Sequence, residues 1–138
     1  KNAMVYAVID TNIIVSSFIT KNPFSATRRV INNMLSGKIK PLYNDEILAE
    51  YFDVLSRSKF HLNEVRINEL LNFIKQNGID SSRFPYDGNM PDEDDRVFYE
   101  VCLSKEDSFL VTGNLKHFPK EPQVITATEM MEILDNEL

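Results

Sequence analysis

The stretch that decides the fold reads Val5-Tyr6-Ala7-Val8-Ile9-Asp10-Thr11-Asn12. Its first five residues are apolar or aromatic, and such a run is typical of a parallel strand buried on both faces. A carboxylate, Asp10, follows the run directly. Ligands of open α/β sheets bind beyond the carboxyl ends of the strands, so Asp10 is predicted to lie where a ligand would bind. Asp is also a favoured N-cap, and a purely capping role fits the same stretch.

The composition fits a single domain. The chain has 138 residues, of which 43% are hydrophobic, enough for a sizeable core. We expect one domain over residues 4–138 and interpret residues 1–3 as an expression remnant. The net charge of −6 disfavours binding of nucleic acid through a basic surface alone. It is compatible with an acidic site that metal ions neutralise.

The sequence also predicts the cellular location of the protein. No apolar run approaches the roughly 20 residues that span a membrane, and no signal segment is visible. Cys102 is the only cysteine, so no internal disulfide can form. We therefore expect a cytoplasmic protein that does not associate with membranes.

Apolar periodicity along the rest of the chain predicts strands that alternate with helices. Further strands are predicted at 39–43, within 79–86, at 108–112 and at 123–125. Residues 13–19 are predicted to form a short turn or helix. Longer helices are predicted to begin at Pro23, Asp45, Asn63 and Asp92, and a capping box at 126–129 precedes the last helix. This alternation predicts a three-layer α/β/α fold with a mostly parallel central sheet.

Glu50 is the second carboxylate of interest. It lies at the edge of the apolar face of its predicted helix, with Ile47 one turn before it and Val54 one turn after it. From this position a carboxylate can point along the core surface toward a cleft. A solvated glutamate fits the position equally well.

The third acidic feature is Asp92-Glu93-Asp94-Asp95. The helix dipole favours acids in a first turn by about 0.3–1 kcal/mol each, which accounts for one or two of them. Four in succession repel one another. Asp92 and Asp95 are three residues apart and therefore share a face. The alternative is an acidic turn that is simply solvated.

Asn114 ends the fourth feature, in which the apolar run 109–111 leads into a polar turn. If this strand neighbours the first one, Asn114 lies at the same sheet edge as Asp10. An ordinary turn asparagine is the alternative. Carboxylates brought together from distant segments need a cation, and oxygen ligands without a His/Cys cluster favour Mg²⁺ or Mn²⁺ over zinc. Such a cation can activate water and stabilise displacement at phosphorus, so the pattern predicts phosphodiester hydrolysis.

Four segments in this order resemble the PIN-domain ribonucleases, a group that includes the VapC-type toxins of toxin–antitoxin pairs. The segments are 8–12, 47–51, 92–98 and 111–118, and the resemblance extends from residue 4 to about residue 134. The segment 57–60 is also similar to the Arg-Pro-Lys-Phe segment of one toxin-related PIN subfamily. The resemblance implies a PIN-like fold and a Mg²⁺- or Mn²⁺-dependent endoribonuclease, with RNA as substrate and an antitoxin protein as partner. We also expect a homodimer.

The resemblance assigns roles to individual residues. Asp10, Glu50 and Asp95 would be the catalytic, metal-binding acids, with Asp92 and Asn114 as further ligands. The family often has Asp in place of Asn114 and an acid near His117, so the neutral residues here imply a weakened second metal site or reduced activity. Candidate RNA contacts are Thr11, Asn12, Arg57, Lys59, Lys116 and His117.

Two other functions fit parts of the sequence. In haloacid-dehalogenase-like phosphatases an Asp after the first strand attacks phosphate. Those enzymes have Asp-x-Asp there, whereas this chain has Asn12 at the second position. The other alternative is a PIN-like RNA-binding or scaffold module that has lost its fourth acid.

Overall fold

The computed structural model describes residues 4–136, and the predicted expression remnant at 1–3 lies outside this range. These residues form one sheet of five parallel strands in the order β3-β2-β1-β4-β5. The strands are β1 (Val5–Ile9), β2 (Ile39–Tyr43), β3 (Ile79–Asp80), β4 (Ser108–Val111) and β5 (Val124–Ile125). The stretch that opens the sequence therefore supplies the central strand, and its inner residues Ala7, Val8 and Ile9 are almost completely buried.

Helices cover the sheet in the predicted three-layer α/β/α arrangement, which the structure confirms. Within residues 4–136 the α-helices are α1 (Thr11–Ile19), α2 (Ala26–Leu35), α3 (Asp45–Leu55), α4 (Glu64–Asn77), α5 (Arg96–Leu103) and α6 (Ala127–Asn136). Short 3₁₀ turns occur at Ser58–Phe60, Glu93–Asp95 and Leu115–His117. Helix α2 packs against α1 and α6, while α3 packs against α4 and α5.

The strand order changes direction at β1. From β1 the chain adds β2 and β3 on one side, and β4 and β5 on the other. Ile9 is in register with Val111, so the carboxyl ends of β1 and β4 lie side by side. The backbone N–H of Asp10 donates to the carbonyl of Val111 at 2.9 Å. Such a switch point is where open α/β sheets bind ligands, and both polar strand ends meet there.

The predicted start of helix α2 is wrong. Helix α2 begins at Ala26 and not at Pro23, because Ser25 is the N-cap and its hydroxyl accepts a hydrogen bond from the Arg28 N–H at 3.3 Å. Asn22 instead closes a local turn, in which its side-chain oxygen accepts from the Phe24 N–H at 2.9 Å. The capping box before α6 is confirmed by reciprocal side-chain hydrogen bonds between residues 126 and 129.

The third strand is shorter than predicted, and the helix after it begins differently. Only Ile79–Asp80 of the predicted 79–86 pairs with β2, and residues 82–92 run on without regular structure. The acidic stretch forms the 3₁₀ turn Glu93–Asp95, and the α-helix itself begins at Arg96. Among the described residues, no helix is both long enough and apolar enough to cross a membrane.

Candidate metal centre

Asp10 serves as an N-cap and also presents its carboxylate at the switch point. Its backbone is extended, and its Oδ1 accepts from the Thr11 N–H at 2.8 Å at the start of α1. Its Oδ2 accepts from the Thr112 hydroxyl at 2.7 Å. Burial raises the pKa of the Asp10 carboxyl, while the two hydrogen bonds and the charge of His117 lower it. The capping role and the site role are therefore compatible.

Thr112 is a site residue that the sequence reading missed. It directly follows β4, is fully buried, and also accepts a hydrogen bond from the Asn114 N–H at 3.0 Å. One hydroxyl therefore fixes both the Asp10 carboxylate and the turn that carries Asn114. The only signal in the sequence was a hydroxyl at the end of an apolar strand, and its meaning depends on which strand lies next to it.

Asp95 is the best placed acid of the acidic stretch. Its side chain is mostly buried, whereas Asp92 is exposed and caps the 3₁₀ turn by accepting from the Asp94 N–H at 3.0 Å. Burial raises the pKa of Asp95 to about 6, and the charges of Asp10 and Asp92 add to this shift. The charge of His117 opposes it.

Glu50 lies half-buried on α3. Burial is the largest cause that raises the pKa of its carboxyl, and the charge of neighbouring Asp53 comes second. The charges of Asp94 and Asp10 raise the pKa further, and Arg57 lowers it. Glu50 is thus close enough to Asp10 and to the acidic turn to interact with both electrostatically.

Asn114 and His117 border the acids. The Asn114 side-chain nitrogen lies 3.0 Å from His117 Nε2, and His117 Nδ1 lies 3.3 Å from Asp95 Oδ2. His117 was predicted as an RNA contact. The fold places it against an acid that is 22 residues earlier in the sequence.

The donor set fits a hard divalent cation in its chemistry. Carboxylates whose pKa values are raised by burial and by one another are stabilised when a cation joins them. In addition, Asp95 Oδ2 is buried and accepts no hydrogen bond from the residues at 4–136. No three His, Cys, Asp or Glu side chains in this range lie close enough together to hold a metal ion as they stand. The assignment of Asp10, Glu50, Asp95, Asp92 and Asn114 as ligands therefore stays a prediction.

The predicted RNA contacts lie in different environments. Thr11 is buried, and Asn12 is exposed while its Oδ1 accepts from the Gly113 N–H at 3.1 Å. Arg57 pairs with Asp53 at 3.3 Å on the surface of α3. The remaining three, Lys59, Lys116 and His117, are exposed.

A partly buried ion pair holds the segment that leads into the acidic turn. Glu100 accepts from Arg83 Nε at 2.7 Å and from the Tyr86 N–H at 2.8 Å. Arg96 donates to the carbonyls of Tyr86 and Gly88 at 2.5 and 3.2 Å. These bonds tie the irregular segment 81–92 to α5, and this segment leads directly into the acids. The sequence predicts no role for Arg83 or Arg96.

The fold and these acids define an α/β protein with a candidate cation site at the switch point of its sheet. A comparison with protein-family models matches the PIN domain over residues 6–116, and the chain belongs to this family. PIN domains are generally nucleases and typically bind divalent metal ions. The search of curated proteins finds no match to the chain.

Proposed function

We propose that the chain is a Mg²⁺- or Mn²⁺-dependent endoribonuclease of the VapC-like toxin type. The observation that carries the proposal is the meeting of side chains from distant segments at the switch point, where Asp10 is bonded to Thr112 and Asp95 lies beside His117. Burial is the largest cause that raises the pKa values of Glu50 and Asp95, and the charge of Asp10 adds to both shifts. Acids that are held together in this way are suited to a shared cation.

In this proposal Asp10, Glu50 and Asp95 hold the cation, with Asp92 and Asn114 as accessory ligands. When bound, the cation would activate water and neutralise charge on the phosphate. Thr112 and the Thr11 N–H hold the Asp10 carboxylate in one orientation. No side-chain nucleophile is required.

The surface of the chain offers contacts for RNA phosphates. Arg57 lies near Glu50, since its charge lowers the pKa of that acid, and Lys116 is exposed in the 3₁₀ turn that carries His117. Cations beside an acidic centre can bind the phosphates on either side of the scissile bond. We infer that the RNA substrate binds to the predicted contact residues, which are Thr11, Asn12, Arg57, Lys59, Lys116 and His117.

An antitoxin partner and a homodimer complete the proposal. A groove of about 310 Å³ lies between α1, α2 and α4. Exposed apolar side chains on the same three helices, Ile19, Leu35 and Val65, provide surface that a protein partner could cover. Light scattering of the purified chain measures its stoichiometry, and a strictly monomeric chain would contradict the homodimer.

Asp10→Asn tests the proposed activity. The variant keeps the shape and the hydrogen bonds of Asp10, because an amide oxygen can accept from Thr11 and an amide nitrogen can donate to the Thr112 oxygen. It loses the ligand charge. We expect cleavage of single-stranded RNA to fall at least about a hundredfold with folding intact.

Asp135→Asn is the matched control, since Asp135 is exposed on α6 and should be replaceable without effect. Equal cleavage by the Asp10 variant and the parent would refute the catalytic role. Cleavage of single-stranded DNA in preference to RNA would keep the nuclease and change its substrate. A parent that binds RNA but no divalent cation would support the RNA-binding module. The phosphatase alternative is not retained, because the chain belongs to the PIN domain family.

A further inference from the structure

His117 stands in an unusual relation to Asp95. Its Nδ1 lies 3.3 Å from Asp95 Oδ2, yet that oxygen is buried and accepts no hydrogen bond from any residue that the structure describes. A buried carboxylate oxygen without a hydrogen bond is costly to the fold. An ion bound to one side of this pair of atoms could contact both of them and supply the partner that the Asp95 oxygen lacks.

The separation of these atoms suits a shared metal ion. Metal–nitrogen and metal–oxygen bonds are about 2.0–2.2 Å long, so two ligands at about 90–110° around one ion lie roughly 3.0–3.4 Å apart. The observed 3.3 Å falls in this interval. Asp10 is near as well, because the Thr112 hydroxyl that donates to its Oδ2 also accepts from the N–H of Asn114.

The second ring nitrogen has the partner that a ligating imidazole needs. His117 Nε2 lies 3.0 Å from the Asn114 side-chain amide. Rotation of that amide by 180° exchanges its nitrogen for its oxygen, which then accepts from Nε2–H. This bond places the proton on Nε2 and leaves the Nδ1 lone pair free. Histidines that bind metals commonly have their other nitrogen held in this way.

We propose that His117 Nδ1 and Asp95 Oδ2 are two ligands of one mixed nitrogen–oxygen site, with Asn114 as the residue that orients the imidazole. The inference rests on the proposed function and adds to it a preference among divalent metal ions. Imidazole suits borderline transition metals, whereas Mg²⁺ strongly prefers oxygen ligands. The site therefore selects Mn²⁺ and Co²⁺ over Mg²⁺.

Calorimetric titration of the purified chain with Mg²⁺, Mn²⁺ and Co²⁺ tests the selectivity without any activity assay. We expect His117→Asn to weaken Co²⁺ binding most, by at least about tenfold, and Mn²⁺ binding to a smaller extent. Mg²⁺ affinity should change by no more than about twofold, since Asp95 and the other oxygen ligands are untouched.

The chain contains a matched control. His61 is the only other histidine in the sequence, is exposed, and adopts a left-handed conformation with φ of 52°, which Asn tolerates well. His61→Asn should leave the affinities for all three ions unchanged. If only His117→Asn weakens binding, the loss is that of a specific ligand. If both variants weaken it, the ions bind nonspecifically to any imidazole.

Each result decides between distinct explanations. An equal loss for the three ions in His117→Asn would overturn the mixed site and leave the oxygen-ligand nuclease standing. A gain in affinity would show that His117 merely competes with the cation for Asp95, and it would also overturn the inference. Failure of the parent to bind any of the three ions would overturn the metal-dependent function together with the inference.

Discussion

Thr112 shows how a single hydroxyl can connect two strands. It donates to Asp10 Oδ2 and accepts from the Asn114 N–H, and it has no exposed surface. Both of these bonds are made inside the protein, where a lost partner leaves a polar group unsatisfied. The hydroxyl therefore contributes both to stability and to the position of the predicted ligands.

Thr112→Val removes this hydroxyl at nearly constant volume. We expect the free energy of unfolding to fall by about 1–3 kcal/mol, since a buried carboxylate oxygen and a buried N–H each lose a partner. The pKa of Asp10 should also rise, because the Thr112 bond normally lowers it. Chemical denaturation measures the first effect, and NMR titration of the carboxyl carbon measures the second.

Thr128→Val on the exposed surface of α6 is the control and should change stability by less than about 0.5 kcal/mol. If the two variants have equal stability, the Thr112 bonds contribute nothing beyond packing.

At this scale the sequence predicts single residues well when the cause is local. Asp10 could be found because a carboxylate that follows a buried strand is informative by itself. The contact between Thr112 and Asp10 could not, since 102 positions separate the two residues and only the pairing of β1 with β4 joins them. The contact of His117 with Asp95 was hidden for the same reason.

At the scale of elements, side chains hold the irregular segment 81–92, the first part of which lies within the strand predicted at 79–86. The last β2–β3 backbone bond runs from the Ser81 N–H to the Tyr43 carbonyl at 2.7 Å. After it, Pro85 has no N–H to donate, and the Tyr86 N–H donates to the Glu100 carboxylate and not to a strand. Hydrophobic periodicity cannot indicate that the carboxylate of Glu100, on a later helix, accepts a hydrogen bond from the backbone of this segment.

Arg83→Met tests the ion pair between Arg83 and the buried Glu100. We expect the free energy of unfolding to fall by about 1.5–3 kcal/mol, mostly because Glu100 is buried and loses a charged hydrogen-bond partner. The exposed pair of Arg83 with Glu46, at 3.0 Å, is lost as well and contributes about 0–1 kcal/mol. The pKa of Glu100, which hydrogen bonds from Tyr86 and Arg83 hold down against the effect of burial, should rise. Denaturation at pH 7 and at pH 5 measures both changes.

The matched control is Arg57→Met, which breaks the exposed pair with Asp53. A surface pair of this kind contributes about 0–1 kcal/mol, so the loss should be clearly smaller. Equal losses in the two variants would mean that the burial of Glu100 has no consequence for stability.

At the scale of the whole molecule, two groups of acids oppose each other as the pH changes. The pKa of Asp95 is raised from 3.8 to about 6 on folding, so its contribution to stability is present below pH 3.8 and is lost as the pH rises through 6. The pKa of Glu100 is lowered from 4.5, so its contribution is lost as the pH falls below that value. Stability should therefore be greatest at about pH 4, between the unfolded-state pKa values of the two acids, 3.8 for Asp95 and 4.5 for Glu100.

Thermal unfolding of the chelator-treated protein, followed by circular dichroism, should show this maximum. Adding Mn²⁺ at a hundred times its dissociation constant should restore about 2.7 kcal/mol at pH 7.5. The same addition at pH 5 should restore less, because protons compete for Asp95. Asp95→Asn should flatten the loss of stability between about pH 4 and pH 6. Equal stabilisation by Mn²⁺ at both pH values would contradict a site that includes this acid.

The pairing of β1 with β4 also constrains how the chain folds during synthesis. Val5–Ile9 leaves the ribosome early, but its neighbour Ser108–Val111 follows about a hundred residues later. At about 5–20 residues per second, this is a delay on the order of 5–20 s. Through that interval one edge of the central strand is unpaired and apolar, which exposes the nascent chain to aggregation or to chaperones. The acid at the end of β1 acquires its Thr112 partner only after β4 has been made, so the growing chain is without its assembled centre until then.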